Sequence, residues 1–129
     1  MKVARHPKDP EVEGMSLEQI ADKYIVRFVD RKPDWAAFAD ALIDGYRRAQ
    51  HRFIGNTSQK AGGTTFIPAK HFTLSIMYVP PGEGNASHTH EVEEVFFVLK
   101  GIVSVFFEDE AGRRIDVKLG PWDCVSCPA

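Results

Sequence analysis

The hydrophobic and polar positions along the chain change from helical spacing in its first part to strand spacing in its last. Residues 1–14 contain little that is apolar and predict a solvated tail. In residues 16–24, Ser16 and Gln19 form a capping-box pattern, with apolar residues at helical spacing, which predicts a first helix. In residues 33–50 the apolar side chains recur at three- and four-residue steps and predict a second helix.

The second half of the chain shows the two-residue alternation and the short apolar runs of β-strands. A turn-rich stretch at 55–65 predicts a mobile loop before them. The predicted strands lie within 71–79, 94–101, 102–110, 114–119 and 123–128. Several short strands with regular turns and no intervening helix predict an all-β fold, a sandwich or a barrel.

Composition and charge exclude several classes of protein. The 129 residues suit one domain, with both signs of charge interspersed and a net charge of −2. The chain has no block of lysine or arginine that would indicate a nucleic-acid partner. No apolar run approaches the roughly 18 residues of a membrane span. The N-terminus has no apolar signal segment, and Cys124 and Cys127 make no disulfide framework. These features favour a cytoplasmic protein.

Three potential metal ligands precede one of the most β-prone segments. His88, His90 and Glu94 share parity, so on a strand the two imidazoles leave the same face and a short turn brings the carboxylate alongside. Two imidazoles and one carboxylate form a facial triad that suits divalent Fe, Mn, Ni or Zn and leaves coordination positions open. The sequence therefore predicts a metal site with these three ligands.

The neighbours of the triad complete this prediction. Glu91 and Glu93 are alternative ligands, but their parity differs from that of the histidines. Phe96 and Val98 continue the parity of Glu94 and are expected to form an apolar wall beside the metal. Tyr78, on the preceding predicted strand, is a further candidate for this wall.

The spacing of these residues resembles a known family. Gly82, five residues, His88-Thr89-His90, three residues, Glu94, six residues and Gly101 match the first motif of the cupin superfamily. The resemblance implies a double-stranded β-helix, a jelly-roll barrel with the metal inside. It also implies that His88, His90 and Glu94 are the metal ligands and that the protein forms homodimers.

The second cupin motif is only partly present. Asp123 and Pro128 stand at the familiar separation, but Trp122 occupies a position where glycine is usual. The chain ends at Ala129, before a further histidine ligand and the strands that would complete the barrel. We therefore expect a shortened version of a longer protein. A partner chain or the N-terminal segments are the alternatives for covering the gap.

These observations predict three regions: a polar tail at 1–14, a helical extension at 15–54 and a cupin barrel, incomplete at its C-terminus, at 55–129. The resemblance does not extend to the helices.

Other candidate ligands are weaker. His71 has the parity opposite to the apolar residues of its predicted strand, and His6 and His51 are expected at the surface. Cys124 and Cys127 are expected to be small buried residues whose thiols point to opposite faces of a strand. An approach of Cys124 to the metal is the alternative.

The sequence leaves open whether the protein is an enzyme. The favoured hypothesis is a metal-dependent enzyme acting on a small organic molecule, most simply an Fe(II)-type oxygenase. A cupin isomerase or lyase, a non-catalytic small-molecule-binding cupin and a protein-interaction domain are the alternatives. Neither a catalytic residue besides the metal ligands nor the substrate can be assigned from the sequence.

Overall fold

The computed structural model describes residues 2–56 and 66–129, so the predicted loop at 55–65 lies mostly outside the described residues. Contacts divide the chain into two compact units between Asn85 and Ala86. The first holds helix α1 (Leu17–Tyr24), the 3-10 helices Pro10–Val12, Phe28–Asp30 and Ala39–Leu42, and strands β1 (Ala49–Gly55), β2 (Ile67–Pro68) and β3 (Leu74–Tyr78). The second holds strands β4 (Glu94–Phe97), β5 (Val103–Glu108), β6 (Arg114–Leu119) and β7 (Cys124–Cys127).

Helix α1 confirms the first predicted helix and its start. The Gln19 N–H donates to Ser16 Oγ at 3.1 Å, and the Ser16 N–H donates to Gln19 Oε1 at 2.8 Å. This reciprocal capping box satisfies two N–H groups that the first turn leaves without helical partners. The helix ends at Tyr24, where extended residue Ile25 follows.

The N-terminal tail is exposed, as predicted, but ion pairs hold part of it. The Lys70 ammonium pairs with the Asp9 carboxylate and lies 3.2 Å from Glu11 Oε2. The hydrogen bond from Lys70 lowers the pKa of Asp9. The tail is thereby fixed near the start of the 3-10 helix at Pro10–Val12.

The second predicted helix, at 33–50, is wrong. Its N-terminal end is held in a β-bridge, in which the backbones of Asp34 and Gln50 exchange two hydrogen bonds of 2.9 Å. Gly45 adopts a left-handed φ of 95° that interrupts the helical path, and the last residues of the segment begin β1. The backbone pairing of Gln50 with both Asp34 and Met77 outweighs the helical period of the apolar residues.

Strand β1 is the centre of the N-terminal sheet, whose order is β2-β1-β3. It pairs in parallel with β2 and in antiparallel with β3, and its register with β3 shifts between Arg52 and Ile54. Arg52 is buried, and its guanidinium donates to Gln50 Oε1 at 2.7 Å. Strand β1 crosses the predicted boundary after residue 54 and pairs with β3, which lies in the predicted barrel region. A separate extension at 15–54 stays a prediction.

The C-terminal unit consists of two antiparallel strand pairs. Strand β4 pairs with β7, and β5 pairs with β6. The β5–β6 hairpin turns at Gly112 (φ 79°), as the sequence predicted, and the Asp109 carboxylate accepts backbone hydrogen bonds from Ala111 and Arg113 at 3.0 and 2.8 Å. One face of the hairpin is apolar, with the opposed pairs Val103/Leu119, Val105/Val117 and Phe107/Ile115.

The observed architecture agrees with the predicted all-β class and confirms the positions of the five late strands. The described strands form three separate sheets, so hydrogen bonding does not close them into a barrel. Few side chains in the described residues are buried, namely Ala41, Ala49, Arg52 and Val98. Among the helices in the described ranges, none is both long and apolar enough to cross a membrane.

Candidate metal centre

The ligand-bearing segment is irregular and leads directly into β4. Gly82 turns the chain with a φ of 82°, after which residues 83–90 form no helix or strand. His88 and His90 therefore precede the strand, as the predicted strand at 94–101 implies, and Glu94 is the first residue of β4. A hydrogen bond to the local backbone, rather than strand pairing, orients the ring of His88.

The three predicted ligands lie close together. His88 Nε2 is 2.9 Å from His90 Nε2, and His90 Nε2 is 2.7 Å from Glu94 Oε2. One ligand atom from each of the three residues lies within 4.8 Å of the others. Ligands that bind one ion at about 2.1 Å and at right angles stand about 3.0 Å apart, so this donor set fits a transition metal.

The backbone selects the nitrogen that His88 presents. His88 Nδ1 lies 2.7 Å from the carbonyl oxygen of Ala86. Because a carbonyl only accepts, Nδ1 carries the proton, and in a neutral ring Nε2 then keeps a free lone pair. His88 is thus prepared as an Nε2 ligand, in the manner of metal-bound histidines whose other nitrogen donates a hydrogen bond.

The alternative carboxylates are placed differently. Glu93 Oε1 accepts a hydrogen bond of 2.8 Å from Ser126 Oγ, so this side chain is engaged with β7. Glu91 is exposed and does not belong to the compact ligand group found in the described residues. Of the three nearby glutamates, Glu94 is the one that the structure brings to both histidines.

The predicted apolar wall has three different environments. Phe96 on β4 is 41% exposed, and Val98 just beyond β4 is buried. Tyr78 belongs to β3 in the N-terminal unit, where its ring meets Trp35 edge-on at a centroid distance of 6.0 Å. The role of these residues as a pocket wall stays a prediction.

The remaining histidines lie outside this ligand group. His6 and His71 are exposed, as predicted. His51 was expected at the surface near a helix end, and this is wrong because it lies on β1 beside Phe28, at a ring distance of 5.1 Å. Its Nδ1 is buried without a hydrogen-bond partner among the described residues.

The structure corrects the expected burial of the cysteines and agrees with their expected placement on opposite faces of a strand. Both are free thiols, and Cys124 is exposed rather than buried. The register places Cys124 opposite Phe97, on the face away from Glu94, and places Cys127 opposite Glu94 itself. Burial and then the negative charge of Glu94 raise the pKa of the Cys127 thiol. Sequence reasoning missed this placement because strand parity alone does not reveal which strands pair.

The turn before β7 explains another departure from the family pattern. The Asp123 N–H donates to the Gly120 carbonyl at 3.1 Å, and Gly120 N–H donates to Asp123 Oδ2 at 2.8 Å. Pro121 and Trp122 are the central residues, and Trp122 has a φ of 73°. A left-handed residue at this second position is the reason glycine is favoured there.

Comparison with known proteins agrees with the spacing and the strands. Residues 75–129 match the family model described as a cupin domain. No curated protein and no solved structure matches the chain. The matched segment contains the three close candidate ligands, nearly all of β3 and the strands β4 to β7. Residues 75–129 therefore belong to the cupin superfamily.

Proposed function

We propose that the cupin domain binds a divalent transition metal through His88, His90 and Glu94. The convergence of two imidazole nitrogens and one carboxylate oxygen within 4.8 Å carries this proposal. Such a donor set suits Fe, Mn, Ni or Zn and leaves coordination positions for a small molecule. His90 and Glu94 have side chains 37% exposed, which leaves the ligands accessible.

The protein residues prepare the site in distinct ways. Ala86 holds the proton of His88 on Nδ1 and so directs Nε2 to the metal. Glu94 is held by the β4–β7 ladder and supplies the negative charge that offsets part of the cation's charge. A metal bound there would polarise a coordinated oxygen and, if it is iron, support redox chemistry.

We infer that the domain acts on a small organic molecule as a metal-dependent enzyme, with an Fe(II)-type oxygenase as the leading reaction class. Three protein ligands leave positions where substrate and dioxygen can both bind, which supports this class. Phe96 and Val98 are the proposed apolar wall. An isomerase or lyase, or a protein that binds without turnover, would use the same ligands. Experiment distinguishes these alternatives from the oxygenase.

Metal content tests the first part of the proposal. The protein purified without added metal, measured by inductively coupled plasma mass spectrometry, is expected to hold close to one transition metal per chain. The His88→Ala/His90→Ala double variant is expected to hold none. The control is His71→Ala, which removes an exposed histidine outside the ligand group. No metal in the wild-type protein, even after incubation with each of the four ions, contradicts the proposal.

Oxygen consumption tests the reaction class. With Fe(II) bound, a panel of small organic acids, sugars and aromatic compounds is screened in an oxygen electrode and, in parallel, for product by mass spectrometry. Substrate-dependent oxygen uptake that disappears in the double histidine variant supports the oxygenase. Turnover without oxygen uptake indicates an isomerase or lyase, and binding without turnover indicates a binding cupin.

We further propose a homodimer in a cytoplasmic setting. The family resemblance supports the dimer, and the two free thiols are compatible with a reducing compartment. Sedimentation equilibrium is expected to give twice the chain mass, and a monomer mass at all concentrations contradicts the dimer.

A further inference from the structure

Cys127 is the cross-strand partner of the candidate ligand Glu94 in the β4–β7 ladder. Glu94 and Cys127 are direct antiparallel partners, and the next pair on the same face is Phe96 with Val125. Side chains of directly opposed residues share a face, with Cβ atoms about 4.5–5.5 Å apart. The Cys127 side chain and the Glu94 ligand therefore leave the sheet from neighbouring positions on the same side.

The second cysteine of the chain has the contrary placement. Cys124 is opposed to Phe97, whose side chain leaves the other face of the ladder. It is exposed, whereas Cys127 is half-buried. The two thiols thus differ in face and in exposure, which makes Cys124 an internal control for any property assigned to Cys127.

The three candidate ligands define where a metal ion would lie relative to the Cys127 sulfur. One atom each from His88, His90 and Glu94 already lies within 4.8 Å of the others. This compact group does not include the Cys127 sulfur among the described residues, so a change in its side-chain torsion would accompany coordination. Metal–sulfur bonds are about 2.3 Å long, which gives a cysteine on the neighbouring strand a reach comparable with the cross-strand spacing.

We propose that Cys127 supplies a fourth donor, a thiolate, to the metal held by His88, His90 and Glu94. This inference rests on the proposed metal site. On coordination the thiol releases its proton to solvent and the sulfur forms a bond to the metal, with no change in oxidation state. A thiolate is a soft ligand and favours zinc, iron, cobalt or nickel over manganese or magnesium.

Cobalt(II) absorption tests this assignment directly, because a thiolate bound to cobalt gives a charge-transfer band in the near ultraviolet. Imidazole and carboxylate ligands alone give only weak visible bands. The reduced wild-type protein, Cys127→Ser, Cys124→Ser and the His88→Ala/His90→Ala double variant are titrated with cobalt chloride. We expect the thiolate band in the wild type and in Cys124→Ser, and its loss in Cys127→Ser with the visible bands retained.

The other outcomes separate the two proposals. Visible cobalt bands without the thiolate band in the wild type overturn the role of Cys127 and leave the three-ligand site intact. No cobalt bands in any protein overturn both. A thiolate band that survives in Cys127→Ser but is lost in Cys124→Ser shows that Cys124 binds the metal, and this also overturns the inference.

Alkylation of the wild-type protein gives a second measurement that does not depend on a variant folding. Iodoacetamide modification of each cysteine is followed by mass spectrometry with and without cobalt(II). Bound metal is expected to slow the modification of Cys127 by at least about tenfold, as for a thiolate held by an ion, and to leave Cys124 unchanged. Equal effects on both cysteines, or none on Cys127 when cobalt binds, contradict the inference.

Discussion

At the scale of the residue, Trp122 combines an exposed ring with a strained backbone. Its φ of 73° is the only left-handed value among non-glycine residues in the described chain. The residue is 76% exposed, and its ring meets that of Phe97 edge-on at a centroid distance of 6.0 Å. The sequence revealed that tryptophan replaces the usual glycine, but the conformational cost became apparent only with the turn between β6 and β7.

Substitution of Trp122 separates the backbone strain from the ring contact. Both Trp122→Gly and Trp122→Ala lose the contact with Phe97, but only glycine adopts the left-handed conformation without a steric penalty of about 1–2 kcal/mol. We expect the glycine variant to be more stable than the alanine variant by about 1 kcal/mol. Urea denaturation measures the difference, and an alanine variant of equal or greater stability contradicts it.

Gly55 tests the close packing around buried Arg52. A Cβ atom at Gly55 would lie 2.3 Å from Arg52 Cδ, so alanine there must displace a side chain that also donates to Gln50. We expect Gly55→Ala to lower the free energy of unfolding by about 1–3 kcal/mol, as overpacking does. Thermal and urea denaturation measure this change.

The matched control for Gly55 is Gly84→Ala. Nothing lies within 4 Å of a Cβ built there, and its φ is outside the left-handed region. An equal loss of stability in both variants would mean that chain stiffness, rather than the contact with Arg52, determines the effect.

At the scale of the element, local sequence signals predicted some helices and strands well. They failed where backbone pairing between distant segments determines the structure. The capping box of Ser16 located α1, and valine- and phenylalanine-rich alternation located β4 to β7. The apolar period of 33–50 did not produce a helix, because Gln50 pairs with Asp34 and Met77 through its backbone. Helical periodicity is a property of one segment, whereas these pairings depend on residues far away in the sequence.

The β5–β6 hairpin carries a pH-sensitive ion pair on its polar face. Arg114 Nε lies 3.0 Å from both carboxylate oxygens of Asp116, and the Arg114 guanidinium carbon stands 3.7 Å from the centroid of the Phe106 ring. The hydrogen bonds from Arg114 lower the pKa of Asp116. A lowered native pKa means that this stabilisation is complete above the ordinary aspartate pKa and is lost as pH falls through the lowered value.

Replacement of Asp116 by asparagine tests this ion pair. We expect a small stability deficit of Asp116→Asn relative to wild type at neutral pH, and we expect the deficit to shrink as the pH falls below the ordinary aspartate range. Urea denaturation over a pH series measures it, with Glu110→Gln as the control for loss of a carboxylate in the same hairpin. A deficit that is constant with pH would show that the charge of Asp116 is not responsible.

At the scale of the whole molecule, the sequence predicted the class of the fold and the composition of the site better than the assembly of its strands. The spacing from Gly82 to Gly101 identified three candidate ligands, whose donor atoms lie close together in the structure. It did not predict that β4 pairs with β7, which places Cys127 opposite Glu94. Ligand spacing is set by local chain geometry, whereas strand pairing depends on contacts between distant segments.

The exposed apolar surface belongs to the same scale. The apolar face of the β5–β6 hairpin includes Phe107 and Ile115, which are 47% and 56% exposed. Alternation along each strand predicted that one face would be apolar. The alternation does not reveal what packs against the apolar face, because the burial of a sheet face depends on the elements around the sheet.

The most direct test of the account compares metal binding by Glu94→Gln and Glu91→Gln with that of the wild type. A carboxylate oxygen of Glu94 lies within 4.8 Å of a ring nitrogen of each histidine, whereas Glu91 is a neighbouring exposed glutamate outside this group. Isothermal titration with zinc is expected to give one ion per wild-type chain and an affinity more than about 100-fold lower for Glu94→Gln, since loss of a ligand's hydrogen-bond partner alone costs about 10–100-fold. The affinity of Glu91→Gln is expected to be unchanged. Equal zinc affinity in Glu94→Gln and the wild type would contradict the proposed metal centre.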